Sequence, residues 1–434
     1  MTDIPALDEQ NIGRILTVTT SAAANGGTFV ARHEGRVVFV RGSAPGETVT
    51  VRVLPEDDKP GARFWRAEVV DVIDPSPDRV ESIWPEAGTD GLGGADYAHI
   101  ALDAQRRIKT DVLVELMTRG RLSTYPVEDV SVEPAPGDFD GLGWRTRVRF
   151  AVENGRIGMR AWRSHSLHGV GDNPLAVDAI ARMRLSDLTA PEGVFAIDAV
   201  APSGSAPMLV IRSARPLTLD ELDLPPYLDD VEIVVSSPGG TEALRGNEII
   251  TEQADDFEFQ LFGGGFWQVH REAPRTLSSV VAQQLAAQPG ETVWDLFGGA
   301  GLLSVSAARA VGDHGALISV EGSPRASADA DRNLRAFAQA SAVRADVTDF
   351  ANATVSGADR IIMDPPRAGV GEKTMARLLE AARTRAVYVS CEPSTLVRDL
   401  VVAECAGWQI SDVRAFDLFP HTHHTECVVT LDRG

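Results

Sequence analysis

Cys391 and Glu426 are the residues of this chain whose surroundings most invite covalent chemistry. Cys391 follows the apolar run AVYVS and precedes Glu392-Pro393-Ser394-Thr395, where the first turn of a helix would favour the thiolate. A thiolate paired with a carboxylate base could add to a planar, electron-poor ring and later be expelled from it. Glu426 closes His421-Thr-His-His-Thr-Glu426, a carboxylate among apolar and imidazole neighbours that could serve as that base. Two plainer readings stand beside this one. Cys391 could be an inert buried cysteine, and His421, His423, His424 and Glu426 could bind a metal or merely cap and hydrogen-bond. If the stretch is extended, Cys427 points to the strand face opposite Glu426, which weighs against the metal.

A second constellation could hold a small adenosyl cofactor. Asp295-Leu-Phe297-Gly298-Gly299-Ala-Gly301 follows an apolar strand and opens onto a helix, where glycines allow a sharp turn and close backbone approach. Glu321 ends the next apolar strand, twenty residues beyond Gly301. A carboxylate there can accept hydrogen bonds from both ribose hydroxyls. Dinucleotide sites look similar, and the balance comes from Asp364-Pro-Pro-Arg367 on another strand end. Two prolines after an acid make a stiff loop suited to holding a polar group against a flat substrate. Asp364 or Arg367 could then meet charge developing on a ring oxygen. Asp346 faces either an adenine edge or the helix it caps.

These residues need a sheet whose strand ends converge. From about residue 273 apolar strands alternate with helices, which predicts an α/β, Rossmann-like, mostly parallel sheet over 256–434. Residues 1–75 carry short alternating runs with glycine turns, the pattern of a small antiparallel β-barrel. There Arg32, Arg36, Arg41, Arg52, Arg63 and Arg66 alternate with Phe29, Phe39 and Trp65, either as a stacking and phosphate-contacting face or as ordinary solvated arginines. Residues 76–255 read as a central α+β domain, with a helix over 100–119 that could pack on the catalytic domain. The net charge of -21 argues against a bulk electrostatic grip on nucleic acid without excluding a local one. The three cysteines, the absence of an apolar run of membrane length and the opening MTDIPALDEQ suggest a cytoplasmic chain without a disulfide scaffold, signal peptide or membrane span.

GGGFWQVH at 263–270, DLFGGAGLLSV, DRIIMDPPRAGV, YVSCEPSTLVRDL and DLFPHTHHTE together resemble the RNA uracil-5-methyltransferases of ribosomal and transfer RNA. The resemblance is specific over about 260–434 and looser at the N-terminus, where it implies a TRAM-type barrel that engages RNA. It implies S-adenosylmethionine as cofactor, Cys391 as nucleophile and Glu426 as base. Cofactor contacts fall on Gln268, Glu321 and Asp364, with the glycine loop beside them; Phe266, Asp364 and Arg367 are expected at the target base. Thiolate addition at C6 would give C5 of uracil the electron density that methylation requires. A base must then remove the remaining C5 proton before the thiolate leaves.

Three departures from the family pattern stand out. Leu92-Gly93-Gly94-Ala95 replaces the Cys-Gly-Gly-Cys of iron–sulfur members, so the ligands for a cluster are not supplied. His270 replaces an asparagine after Gln268-Val269. Glu392 replaces an asparagine beside Cys391, where its charge could raise the thiol pKa or point away. The expected partner is structured RNA, ribosomal slightly ahead of transfer RNA, bound by a monomer. Methylation of cytosine or a small molecule, or non-catalytic RNA binding, are the alternatives.

Overall fold

The computed structural model describes residues 13–59, 61–88, 91–162, 166–171, 173–354 and 357–434. The opening MTDIPALDEQ, and Thr89-Asp90 of the acidic, turn-rich stretch, lie outside the described residues. Two compact units divide the chain. One holds Met1–Val112, Ala161–Ser164 and Pro420–His424; the other holds Leu113–Arg160, His165–Phe419 and Thr425–Gly434.

In the first unit the period-two pattern closes a barrel. Strands β1 (Ile15–Ala24), β2 (Thr28–His33), β3 (Arg36–Arg41), β4 (Thr48–Val53) and β5 (Phe64–Asp74) pair in the order β1-β2-β3-β5-β4. Leu16, Val18, Ala31, Val38, Val40, Val49, Val51, Trp65 and Ala67 fill it, drawn from alternate positions of the five strands. The interleaved arginines and rings are split by the same alternation. Phe29, Trp65 and Arg41 are buried, and Arg66 is engaged by Asp57 at 2.5 and 2.9 Å. Arg32, Arg63 and Phe64 stay exposed, with Phe64 edge-on to Phe39 at 5.5 Å. Behind the barrel, the buried Glu47 accepts from Ala44 N–H, Ser76 N–H and the Arg79 guanidinium. Burial would raise its carboxyl, but Arg79 and the backbone donors hold it below the usual range. Helix α1 (Leu102–Gly120) runs out of this unit after Val112.

The second unit begins inside α1, whose Leu113 and Met117 join its core. After β6 (Val132–Pro134), a seven-stranded sheet follows the order β13-β12-β11-β10-β7-β8-β9. Its strands are β7 (Arg147–Glu153), β8 (Arg156–Arg160), β9 (Leu167–His168), β10 (Val194–Val200), β11 (Met208–Ser213), β12 (Glu232–Ser237) and β13 (Gly240–Arg245), with the short helix α2 (Asp178–Ala181) between β9 and β10. A hairpin, β14 (Ile249–Ala254) and β15 (Phe257–Phe262), leads into α3 (Ala273–Leu285). Then β16 (Thr292–Leu296), α4 (Leu302–Val311), β17 (Ala316–Glu321), α5 (Pro324–Leu334), β18 (Ala340–Arg344) and α6 (Val347–Ala353) alternate. The chain ends with β19 (Ala358–Met363), α7 (Glu372–Ala381), β20 (Ala382–Ser390), α8 (Pro393–Cys405), β21 (Trp408–Asp417) and β22 (Glu426–Arg433).

These strands form the expected α/β sheet in the order β18-β17-β16-β19-β20-β22-β21-β6. Neighbours from β18 to β20 are parallel, and β22 enters antiparallel between β20 and β21. Alternate residues serve opposite faces: Val293 and Ile362 pack with α3 and α4, whereas Trp294 and Met363 pack with α7 and α8. Two local expectations shift. The helix read over Ala330–Ala338 is α5, which starts earlier because Ser323 caps Ala326 N–H and Pro324 takes the first turn. The stretch 76–255, read as one domain, is divided: residues up to Val112 close with the barrel, and β6 pairs in parallel with β21 in the catalytic sheet.

Candidate active site

Parallel strands bring their C-terminal ends to one edge, where open α/β sheets bind ligands. Asp295 near the end of β16, Glu321 at the end of β17, Asp364 just past β19 and Cys391 just past β20 all lie there. The glycine turn after β16 is tightly held. Gly298 N–H donates to Val320 O at 3.0 Å, and Gly299 N–H donates to Glu321 Oε2 at 3.1 Å. A Cβ on Gly298 would stand 2.3 Å from Ser319 Oγ, so no larger residue fits. Phe297 takes a left-handed φ of 63°, and Gly301 one of 92° at the start of α4.

An adenosyl cofactor fits this cradle. Glu321 faces the turn with both oxygens at hydrogen-bonding depth: Oε1 accepts from Ser323 N–H at 2.6 Å and Oε2 from Gly299. Asp295 is fully buried; Oδ2 accepts from Ser304 Oγ at 2.5 Å, while Oδ1 has no protein partner. Burial, reinforced by Glu321, pushes the Asp295 carboxyl up to about 7 against the Ser304 bond. Gln268 is half-buried. Asp346 takes the plainer role: its Oδ1 accepts from Thr348 and Asp349 N–H and caps α6.

Cys391 and Glu426 meet across two strands. Ser390 pairs with Cys427 in the antiparallel β20–β22 ladder, so the next rung outward juxtaposes Cys391 and Glu426. Glu426 is 3 % exposed, and Cys427 turns into the core behind it. Burial lifts the Glu426 carboxyl well above its ordinary range, and Asp364 lifts it further. Asp364 is itself raised to about 7 by burial and by Asp295. At Cys391, burial and then Glu426 push the thiol up to about 12; the Arg367 guanidinium opposes them. The anionic cysteine expected from the helix N-terminus is therefore not the resting state. Glu392 Oε1 accepts from Ser394 N–H and Oγ and so caps α8 itself. The glutamate beside the cysteine points to the helix rather than to the sulfur.

The Asp364-Pro-Pro-Arg367 loop is fastened by residues the sequence did not single out. Thr395 Oγ1 donates to Arg367 O at 2.9 Å, and Arg398 NH2 donates to Ala368 O at 2.9 Å. The buried Asp399 accepts from Val370 N–H, Gly371 N–H and Tyr388 OH. All three lie in STLVRD, directly after the cysteine, and their one-turn spacing on α8 was the available signal. Arg145 was also missed: burial and the Arg367 charge lower its pKa, so a second guanidinium lies near Arg367.

The loop carrying Phe266 and Gln268 is pinned at its far end by His270. Its ring is buried, stacks on Trp144 at 5.6 Å and 17°, and accepts Glu272 N–H at Nδ1. Burial holds this imidazole near a pKa of about 4, so it stays neutral. Thr146 N–H adds a bond to Val269 O at 2.8 Å. Phe266 is 71 % exposed and available to a ligand. Among the described residues no three His, Cys, Asp or Glu side chains form a ligand set; His421 is bonded to Gln105 and His423 to Asp96. In the stretch without cluster cysteines, Leu92 and Ala95 are buried.

This sheet edge gathers a glycine turn, a glutamate bonded to that turn, and a cysteine and a glutamate on adjacent strands, and comparison with known proteins says which family carries it. Residues 327–434 match the tRNA (Uracil-5-)-methyltransferase family, and residues 9–63 match the TRAM domain. A Streptomyces coelicolor RNA methyltransferase is 38% identical, with 97% of this chain and 93% of that protein covered. A Cronobacter sakazakii 23S rRNA (uracil(1939)-C(5))-methyltransferase is 30% identical, with 96% of each covered. The crystal structure of Pyrococcus abyssi tRNA (uracil-54, C5)-methyltransferase in complex with S-adenosyl-L-homocysteine superposes with a TM-score of 0.72 at 21% identity, covering 96% of this chain and 100% of that one. The chain belongs to the RNA (uracil-5-)-methyltransferase family.

Proposed function

We propose that this enzyme methylates C5 of a uridine in structured RNA, ribosomal rather than transfer RNA, through a covalent adduct between Cys391 and C6. The observation that carries the reading is the Ser390–Cys427 pair at the end of the β20–β22 ladder, which brings Cys391 and Glu426 within electrostatic reach of each other and of Asp364. The full-length likeness to a 23S rRNA enzyme supports the choice of RNA.

Bound S-adenosylmethionine supplies an electrophilic methyl group. Glu321 would accept from its ribose hydroxyls, the Gly298–Gly301 turn would follow its backbone-facing edge, and Gln268 and Asp364 would border the methyl. Cys391 adds its sulfur to C6, which moves electron density onto C5 and O4. Arg367 favours the thiolate this needs, and a carboxyl raised to about 7 lets Asp364 meet a ring oxygen or nitrogen as donor or acceptor. Once C5 carries the methyl group, Glu426 takes the C5 proton. Those electrons form the C5–C6 double bond, and the C6–S bond breaks back to Cys391. A high carboxyl pKa makes Glu426 a stronger base for this step.

An RNA carrying 5-fluorouridine tests the reading, since C5 then has no proton to lose. Wild-type protein should stay bound to it through denaturing electrophoresis, and Cys391→Ala should give neither adduct nor 5-methyluridine. Normal methylation by the alanine variant would refute the mechanism. Mapping 5-methyluridine lost from cellular RNA when the gene is removed identifies the target, and 5-methylcytidine in its place would redirect the assignment.

A further inference from the structure

Phe266 and Gln268, expected at the target base and at the cofactor, follow three glycines in a row. Gly263, Gly264 and Gly265 come directly after β15 and before Phe266. Their backbone lies hard against its surroundings: a Cβ on Gly263 would collide with Met208 Sδ, and one on Gly264 would stand 2.6 Å from Phe262 Cε1. Such closeness excludes larger residues. Glycine, however, loses more conformational freedom on ordering than any other residue, so three in succession need something to hold them.

Arg147, at the start of β7, holds them. Its Nη1 donates to Gly265 O at 2.8 Å and to Gly263 O at 3.1 Å, so one nitrogen grips both ends of the triplet. The turn's own bonds run from Gly263 N–H to Glu248 O at 3.0 Å and from Gly265 N–H to Phe262 O at 2.8 Å. Nη2 meets the buried Glu252 only at 3.4 Å; the other Glu252 oxygen accepts from Ser203 N–H at 3.0 Å and Ser203 Oγ at 2.9 Å. Arg147 Nε has no partner among the described residues. Burial lowers the Arg147 pKa, and the Glu252 carboxylate opposes that shift. A guanidinium withdrawn from water beside one distant carboxylate is costly, and its two closest bonds both go to the glycines. The neighbouring Thr146 holds the other end of the loop, donating its N–H and Oγ1 to Val269 O at 2.8 and 3.1 Å. Trp267 is buried against Phe259, with ring centroids 5.2 Å apart. Between these two fastenings Phe266 stands exposed and Gln268 is half-buried.

We propose that Arg147 is a positioning residue for methyl transfer: by holding the carbonyls of Gly263 and Gly265, it fixes the direction in which Phe266 meets the target base and Gln268 meets the cofactor. The inference rests on those two residues making these contacts. Arg147 acts through them and not by touching either ligand. Its grip removes the freedom of three glycines before RNA and cofactor arrive, so their ordering no longer opposes binding and alignment. A lysine carries the same charge but lacks the planar, pre-organised fork, and would hold the turn less well.

The test is a double-mutant cycle on kcat/KM for RNA, using labelled methyl donor at saturation and total RNA from cells in which the gene is removed. It compares wild type, Arg147→Lys, Phe266→Ala with Gln268→Ala, and all three changes together. Arg147→Gln, which buries no charge, takes the place of the lysine variant should that one fail to fold. Arg147→Lys should lose about tenfold in kcat/KM, and less than about twofold where Phe266 and Gln268 are already alanine, since nothing is then left to position. Amide hydrogen exchange, which needs no turnover, should quicken over residues 263–268 in Arg147→Lys. Losses that multiply in the combined variant overturn the proposal, because Arg147 then acts elsewhere. So does unchanged exchange over 263–268, or a lower melting temperature at wild-type kcat/KM. If Phe266→Ala with Gln268→Ala turns over like wild type, the roles read for those two residues fall instead, and the proposal falls with them.

Discussion

At Cys391 the local field runs against the nucleophile that the chemistry requires. Burial and the Glu426 charge favour the thiol, and Arg367 is the nearby counterweight. Removing the guanidinium should therefore raise the thiol pKa further, and removing the carboxylate should lower it. Alkylation of Cys391 followed against pH, on a Cys405→Ser background because Cys405 is exposed, reads this directly. Arg367→Gln should shift the profile to higher pH and Glu426→Gln to lower pH; an unchanged profile in Glu426→Gln would separate the two side chains. A second consequence concerns stability. Asp295 and Asp364 are raised from 3.8 to about 7, so between about pH 4 and 7 the folded protein keeps protons that the unfolded chain has released. That contribution is present at acid pH and lost as pH rises through 7. The ligand-free protein should melt progressively lower from pH 5.5 to 8.5, whereas Asp295→Asn should flatten the curve and melt higher at its alkaline end, with cofactor binding impaired. The places of Cys391 and Glu321 at strand ends were legible in the sequence because each follows an apolar run, and Asp295 was legible inside one, whereas Glu426 opens the last strand. Their charge states were not, since burial and the neighbours that set them come from different strands.

At the scale of elements, α8 does more than follow the nucleophile. Its N-terminus is closed by Glu392, and Thr395, Arg398 and Asp399 reach from its first turns to the loop after Asp364. Asp399→Ala would leave Tyr388 OH and the N–H groups of Val370 and Gly371 without their buried acceptor, at a cost of about 2–4 kcal/mol. Denaturant unfolding should show that loss, and adduct formation should slow because Arg367 moves with its loop. Strands and helices of the catalytic sheet were readable from period and length over 273–434. The three-residue β6 carries no periodicity to read, and its place beside β21 follows only once the sheet exists. His270 was readable as a departure but not as a pin, because its stacking partner Trp144 is remote in sequence and its neutral charge state is a consequence of burial.

For the whole molecule, a net charge of -21 must be reconciled with an RNA substrate. The acidic excess is a global average; binding depends on the local potential of the surface that meets phosphate. In the barrel that surface is smaller than the arginine pattern suggested, because Arg41 is enclosed and Arg66 is neutralised by Asp57. Alternation showed which strands would form, but the same alternation buried Phe29, Arg41 and Trp65 among the residues that looked available. Arg32, Arg63 and the Phe39–Phe64 pair remain outward, a cationic and stacking combination suited to unpaired bases. With few cations at work, each should carry a visible share of the salt dependence. Titrating binding of a structured ribosomal RNA fragment at several salt concentrations should give a log–log slope that falls by about one on Arg32→Gln and again on Arg63→Gln. Phe64→Ala should weaken binding by roughly 1–3 kcal/mol with the slope intact, because stacking releases no counterions. Slopes that do not respond to either arginine would place the phosphate contacts elsewhere and leave the barrel as a scaffold.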